Sequence, residues 1–476
     1  MATQDIEILK NGGYKGIGLT KFKLAPPATP LATFPPEILE LGDALEQLDL
    51  SGSGLSSLPA ELGSALPNLK IAFFSACKFT VFPKELASCP NLEMVAFRSN
   101  DMEEVPEDSL PPRLRWLILT DNRITALPAS IGRCSRLEKC MLAGNLLQGL
   151  PAEMAQCKNL ALLRLSANRV EALPPWLVSL PRLAFLSFAG NPCASSKASG
   201  SGSTPFGLAD IRWDDIEVQH SLGEGASGII SQALWRQSPA YAEEVAIKLF
   251  RGALTSDGTP ADEMAACLAA GAHESLITVL GRIHGHPDET TSDEKENKFQ
   301  GGIVMQLIPS YYKVLGQPPS LTSCSRDCYP EDATLGAIPA LSMLTGIAGA
   351  AAHLHAQGIS HGDLYAHNIL ASSDDAHALL GDFGAATIYG KDFDAELAEG
   401  LEKLEVLAFA HLVEDILGLF TEGDEVKGSE SDLRRGLEEL YTRCANPRVE
   451  ARPAFEEILE ELEGMMGWRG MMRIPN

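Results

Sequence analysis

Apolar positions in the first 190 or so residues recur in a fixed order. Leucines stand at 45, 69, 92, 114, 137, 160 and 183, and from Leu69 onward their spacing is 22 or 23 residues. Each opens a stretch such as Leu114-Arg115-Trp116-Leu117-Ile118-Leu119-Thr120-Asp121-Asn122, with leucine or another apolar residue at the first, fourth and sixth places and, from Leu92 onward, asparagine at the ninth. A unit this short cannot bury its apolar face alone, so its repetition predicts a solenoid of stacked copies. In such a stack the leucines of a short strand point inward and Asn100, Asn122, Asn145, Asn168 and Asn191 bond the turning backbone. Leu-Pro pairs such as Leu127-Pro128 mark the convex return. Phe34-Pro35-Pro36-Glu37-Ile38 reads as half a unit, so residues 1–44 are expected to cap the stack and 45–193 to hold its seven copies.

The pattern stops at a serine- and glycine-rich stretch with little apolar surface to bury, so 194–210 is expected to be a flexible linker. Beyond it, Leu222-Gly223-Glu224-Gly225-Ala226-Ser227-Gly228-Ile229-Ile230 places glycines between two strand-like runs, where missing side chains let backbone N–H groups approach phosphates. The apolar strand Val245-Ala246-Ile247-Lys248 then ends in a lysine suited to the α- and β-phosphates, and Glu263, in a helical run, is placed to pair with it. Farther on come His361-Gly362-Asp363-Leu364-Tyr365-Ala366-His367-Asn368 and Asp382-Phe383-Gly384. Phosphoryl transfer leaves a protein little covalent chemistry; it needs a carboxylate beside the acceptor hydroxyl and oxygen ligands for Mg²⁺. Asp363 suits the first role, Asn368 and Asp382 the second.

On these motifs residues 211–465 resemble a eukaryotic-type protein kinase domain, and the repeats resemble leucine-rich repeats. The resemblance implies an α/β solenoid, the leucine-rich repeat horseshoe, followed by an α+β two-lobed kinase-like fold, with 466–476 as a C-terminal tail. It further implies ATP and Mg²⁺ as cofactors. Gly223, Gly225, Gly228, Ile230 and Lys248 would hold the nucleotide phosphates, Met305 would be the gatekeeper, and Gln306 to Ile308 the strand that bonds adenine. Lys248, Glu263 and Asp363 carry catalysis by the same resemblance, His361 braces the loop by packing, and the large central helix has Glu405 where aspartate is usual.

Several positions depart from that family. Gly362 stands where many protein kinases have arginine, Tyr365 where a lysine or alanine is usual, and no Ala-Pro-Glu follows Asp382. Thr387 and Tyr389 are the only hydroxyl side chains between Gly384 and Glu405, so switching by loop phosphorylation is not expected. The main expectation is transfer of the γ-phosphate to a protein hydroxyl, serine or threonine ahead of tyrosine. Two alternatives are a pseudokinase-like interaction scaffold and a small-molecule phosphotransferase of the aminoglycoside or choline kinase type.

The strand positions between the buried leucines, namely Ile71, Phe73, Met94, Arg98, Trp116, Ile118, Met141, Leu162, Arg164 and Phe185, form an apolar row expected to dock a protein segment on the concave face, either another protein or the chain's own kinase lobe. Charge narrows the partners further. The 476 residues carry 63 acids against 38 bases, a net charge of −25, which excludes nucleic acid and anionic membrane surfaces as partners. No apolar run is expected to span a membrane, the N-terminus lacks a secretion signal, and a cytoplasmic location is expected. Cys89, Cys134 and Cys157 lie three residues before repeat-opening leucines and read as core positions, whereas Cys324 and Cys328 offer only a weak zinc spacing. The oligomeric state is not legible.

Overall fold

The computed structural model describes residues 3–14, 16–194, 208–289, 299–372, 374, 376–420 and 429–472. It divides into two compact units, Met1–Leu183 and Ala184–Asn476. The linker stretch 195–207 and residues 290–298 lie outside the described residues.

The first unit opens with helix α1 (Ile6–Lys10), whose first N–H groups are accepted by Asp5 Oδ1 at 2.7 and 3.3 Å. Strand β1 (Lys21–Lys23) pairs in parallel with β2 (Gln47–Asp49), so the expected cap contributes a strand of its own. The parallel register continues through β3 (Ile71–Phe73), β4 (Met94–Ala96), β5 (Trp116–Ile118), β6 (Lys139–Met141) and β7 (Leu162–Arg164). Leu69, Leu92, Leu114, Leu137, Leu160 and Leu183 are all fully buried. On the return path, single 3-10 turns at Lys84–Ser88, Ala129–Arg133, Ala152–Gln156 and Pro175–Ser179 each follow a proline, whose φ of −64° to −70° suits the entry to a turn. Helix α2 (Leu62–Ala65) takes the equivalent place one copy earlier.

The asparagines tie each copy to the one before. Asn145 Nδ2 donates to the carbonyls of Leu119 and Leu142, both at 2.9 Å, and its Oδ1 accepts the Ile124 N–H at 3.0 Å. Asn100, Asn122 and Asn168 repeat this set of bonds one copy apart. Asn145→Ala leaves the buried Ile124 N–H without its acceptor and takes one of two asparagine donors from each of the Leu119 and Leu142 carbonyls, and a loss of about 1–3 kcal/mol is expected in a urea melt. A loss below about 0.5 kcal/mol would contradict the ladder's structural role. Cys89, Cys134 and Cys157 occupy the core positions filled by Leu66 and Leu180 in other copies, and burial pushes their thiols up to about 11, 11 and 12.

In the second unit a short strand, β8 (Phe185–Ser187), precedes a small lobe. That lobe is a sheet of β9 (Ala209–Arg212), β10 (Ile216–Gly225), β11 (Gly228–Ser238), β12 (Tyr241–Arg251), β13 (Val279–His284) and β14 (Phe299–Gln306), in the order β10-β11-β12-β14-β13-β9. Alternate residues Ala233, Val245, Ile247 and Val304 form its core, and helix α3 (Pro260–Ala269) begins at Thr259, whose hydroxyl accepts the Asp262 N–H at 3.1 Å. The larger lobe carries β15 (Lys313–Val314), α4 (Ala337–Ala356), β16 (Ile359–Ser360), β17 (Ile369–Ser372), β18 (His377–Leu380), β19 (Thr387–Ile388), α5 (Ala395–Gly418), α6 (Ser429–Cys444) and α7 (Phe455–Met472). Helix α7 runs past the expected boundary at 465.

Helix α4 has the length and hydropathy of a membrane span, contrary to the reading that no such run exists. It is a core helix: Leu341, Leu344, Ile347 and Leu354 are buried, and it packs on α7 and β18.

Candidate active site

The β10–β11 hairpin closes with Gly225 opposite Gly228. Gly228 has φ +155°, and a Cβ there would lie 2.1 Å from the Leu249 carbonyl oxygen, so only glycine fits. The β11–β12 register sets Lys248 opposite Ile230, beneath the glycine loop. A cleft of about 270 Å³ is lined by Gly223, Gly225, Gly228, Ile230, Lys248, Glu263 and Asp382 together. Lys248 is an ion pair with Glu263, which is 3 % exposed. Burial draws the lysine pKa down, but the carboxylates of Glu263 and Asp382 outweigh it and hold Lys248 above its ordinary value, a charged group at neutral pH.

The β17–β18 ladder assembles the other half. Its register pairs Ile369 with Leu380, and the Gly381 N–H donates to the Asn368 carbonyl at 2.9 Å, so Asn368 and Asp382 stand at adjoining strand ends. Asn368 Nδ2 donates to Asp363 Oδ2 at 2.8 Å and to its carbonyl at 3.0 Å, leaving the amide oxygen as the atom able to take a cation. Asp382 has φ +54° and is exposed, with Oδ1 accepting the Gly384 N–H at 3.0 Å. His361 is buried; its Nδ1 accepts the Asp363 N–H at 3.3 Å and its Nε2 donates to the Gly381 carbonyl at 2.9 Å, which joins the two segments. One carboxylate and one amide oxygen are too few donors for a resident ion but suit Mg²⁺ that arrives on a nucleotide and keeps phosphate and water ligands.

Three supports of the site stand outside the glycine, lysine and carboxylate motifs. Glu405, on α5, is 2 % exposed and accepts the N–H groups of Gly362 at 2.6 Å and His361 at 3.3 Å. His355, from α4, pairs with the same carboxylate at 2.7 Å. Asp327 accepts the Ala366 N–H and binds His367 Nδ1, both at 2.6 Å, so it clamps the middle of the catalytic loop. Ser227, Thr255, Asp257 and Gly384 also line the cleft. Asp327 and these last four stand in loops, with no periodicity to betray them.

The segment after Gly384 is short. Strand β19 pairs with β16, and Thr387 and Tyr389 are 0 % and 5 % exposed, which leaves neither hydroxyl presented to another kinase. The expected apolar row differs from an exposed stripe. Ile71, Phe73, Trp116, Ile118 and Met141 are half-buried and Arg98 is exposed, but Met94, Leu162, Arg164 and Phe185 are buried. Met94 sits in register between Ile71 and Trp116, whose side chains share its face. Phe185 is covered within the second unit, where its ring stacks on Tyr365. Met305 and Gln306 end β14, the Gln306 N–H donating to the Thr278 carbonyl at 3.0 Å; they and Ile308 are half-buried and lie outside the lining of the cleft that holds Lys248.

Comparison with known proteins agrees with this geometry. Residues 216–408 match the protein tyrosine and serine/threonine kinase family, and residues 112–170 match the leucine rich repeat family. Among curated proteins, the chain is 24% identical over 288 residues to the dual specificity protein kinase pyk3 of Dictyostelium discoideum, covering 54% of this chain and 19% of that protein. It is likewise 24% identical over 291 residues to the probable serine/threonine-protein kinase gdt4 of the same organism, covering 54% of this chain and 16% of the relative. The chain thus spans less than a fifth of the length of these relatives. With its glycine loop, Lys248–Glu263 pair and Asp363–Asn368 bond in place, the chain carries leucine-rich repeats N-terminal to a protein kinase domain.

Proposed function

We propose that this chain transfers the γ-phosphoryl group of ATP to a protein hydroxyl, serine or threonine ahead of tyrosine. The observation that carries the reading is the convergence of the glycine loop, the Lys248–Glu263 pair and Asp382 on one cleft. Lys248 is charged and faces the place of the α- and β-phosphates, and Glu263 fixes its direction. Asn368 and Asp382 would hold Mg²⁺, which when bound neutralises charge on the phosphates. Asp363, held by Asn368 Nδ2, accepts the acceptor's O–H and aims its oxygen. The half-buried strand residues Phe73, Trp116, Ile118 and Met141 support a docking role for the repeats. Eight of the ten cysteines are buried thiols, which supports a reducing compartment such as the cytoplasm.

Radiolabelled ATP given to the full chain with a protein acceptor tests the reading. Label is expected in protein, to vanish with a Mg²⁺ chelator, and to fall at least about 100-fold in Asp363→Asn. Label that persists undiminished in both cases would overturn it.

A further inference from the structure

We propose that Tyr365 selects the acceptor by stacking an aromatic side chain of the substrate peptide beside its hydroxyl, and that Phe185 fills this place in the resting chain. The inference rests on the protein-kinase reading above. The Phe185 and Tyr365 rings lie face to face, centroids 3.8 Å apart and planes 9° apart, with 1 % and 5 % exposure. Tyr365 is two residues past Asp363, where the resemblance leads one to expect lysine or alanine. A phenol ring offers no charge to a phosphate, so its contribution there is a flat apolar face.

The residues after Phe185 follow the same border. Ser187 Oγ donates to the Asp257 carbonyl at 3.0 Å, and Asp257 lines the phosphate cleft. The Phe188 N–H donates to Thr387 Oγ1 at 3.0 Å, on the strand after Gly384. The Leu186 carbonyl oxygen lies 2.6 Å from where a Cβ on residue 362 would stand, as does that of Ala385, and Gly362 has φ +72°. The glycine in place of the usual arginine therefore makes room for this strand. Four consecutive residues touch the catalytic loop, the strand beyond Asp382 and the cleft rim, the three borders of the approach to Asp363. They do so with a ring, a hydroxyl and backbone groups, which are what a peptide bearing an aromatic residue near its serine would bring. The cleft behind them stays open to nucleotide.

The test uses the full-length chain, Phe185→Ser and Phe185→Leu, with two fluorescent peptides that differ only in phenylalanine or alanine two residues before a serine. Binding is read by anisotropy and phosphate incorporation by label. Phe185→Ser is expected to bind the phenylalanine peptide at least tenfold more tightly than the unaltered chain, and adding Tyr365→Ala to remove that gain. Phe185→Leu, which keeps apolar bulk in the buried site, is expected to show the same preference with a smaller gain, so a folding defect in the serine variant does not shield the idea. Equal binding by all three chains, or equal affinity of the variants for the two peptides, would overturn it. Selective binding without phosphate incorporation would sustain the site and count against the kinase reading instead.

Discussion

Asp382→Ala is expected to lower Mg²⁺-dependent phosphoryl transfer by about a thousandfold or more. The carboxylate stands exposed in the cleft that contains Lys248, with its backbone turned to φ +54° and Oδ1 fixed by the Gly384 N–H. Asp382→Asn preserves that shape and the bond to Gly384 but removes the negative charge, so it separates metal holding from loop geometry. A large loss is expected in both variants, accompanied by a steep rise in the Mg²⁺ concentration needed for half activity. Turnover of Asp382→Ala equal to that of the unaltered chain would end the assignment of Asp382 as a metal ligand.

Glu405→Ala carries the largest expected cost in stability. Its carboxylate takes two backbone N–H groups of the catalytic loop and the His355 imidazole inside the protein. Alanine removes the buried acceptor that all three share, a loss of about 3–5 kcal/mol and a fall in Tm of about 10 °C for a domain of this size. Burial pushes the Glu405 pKa up, but the bond and charge of His355, with those of the loop, prevail and hold it below its ordinary value of 4.5. A carboxyl whose folded pKa is depressed stabilises the fold above about pH 4.5 and loses that contribution as pH falls through the lowered value. The gap in Tm between Glu405→Ala and the unaltered chain should therefore be full at pH 7 and shrink below pH 4.5. A gap that is absent at pH 7, or unchanged by acid, would refute the anchoring role.

How much was legible in the sequence follows from how far each interaction reaches. The asparagine ladder was readable because its bonds reach either three residues back or one copy along, and the copies announce themselves by repetition. Lys248, Glu263, Asp363, Asn368 and Asp382 were readable because glycine turns and short apolar strands frame them locally. The supports of the site were not. Asp327 reaches the catalytic loop across 39 and 40 residues from an irregular stretch, and His355 reaches Glu405 across 50. Nothing in the local pattern marks a carboxylate in a loop as the partner of a distant N–H.

The apolar alternation of β8 likewise says only that Phe185 needs cover. Its sequence fits the seventh copy of the repeat, and from that pattern it belonged to a docking row; its ring instead lies on Tyr365. By itself the chain determined its two kinds of architecture and the chemical groups of its cleft, because periodicity, glycine and short motifs act within a few residues. Which surfaces meet was decided by the tertiary structure: apolar area drives burial without specifying a partner, and the choice among partners depends on shape matched between segments far apart in sequence.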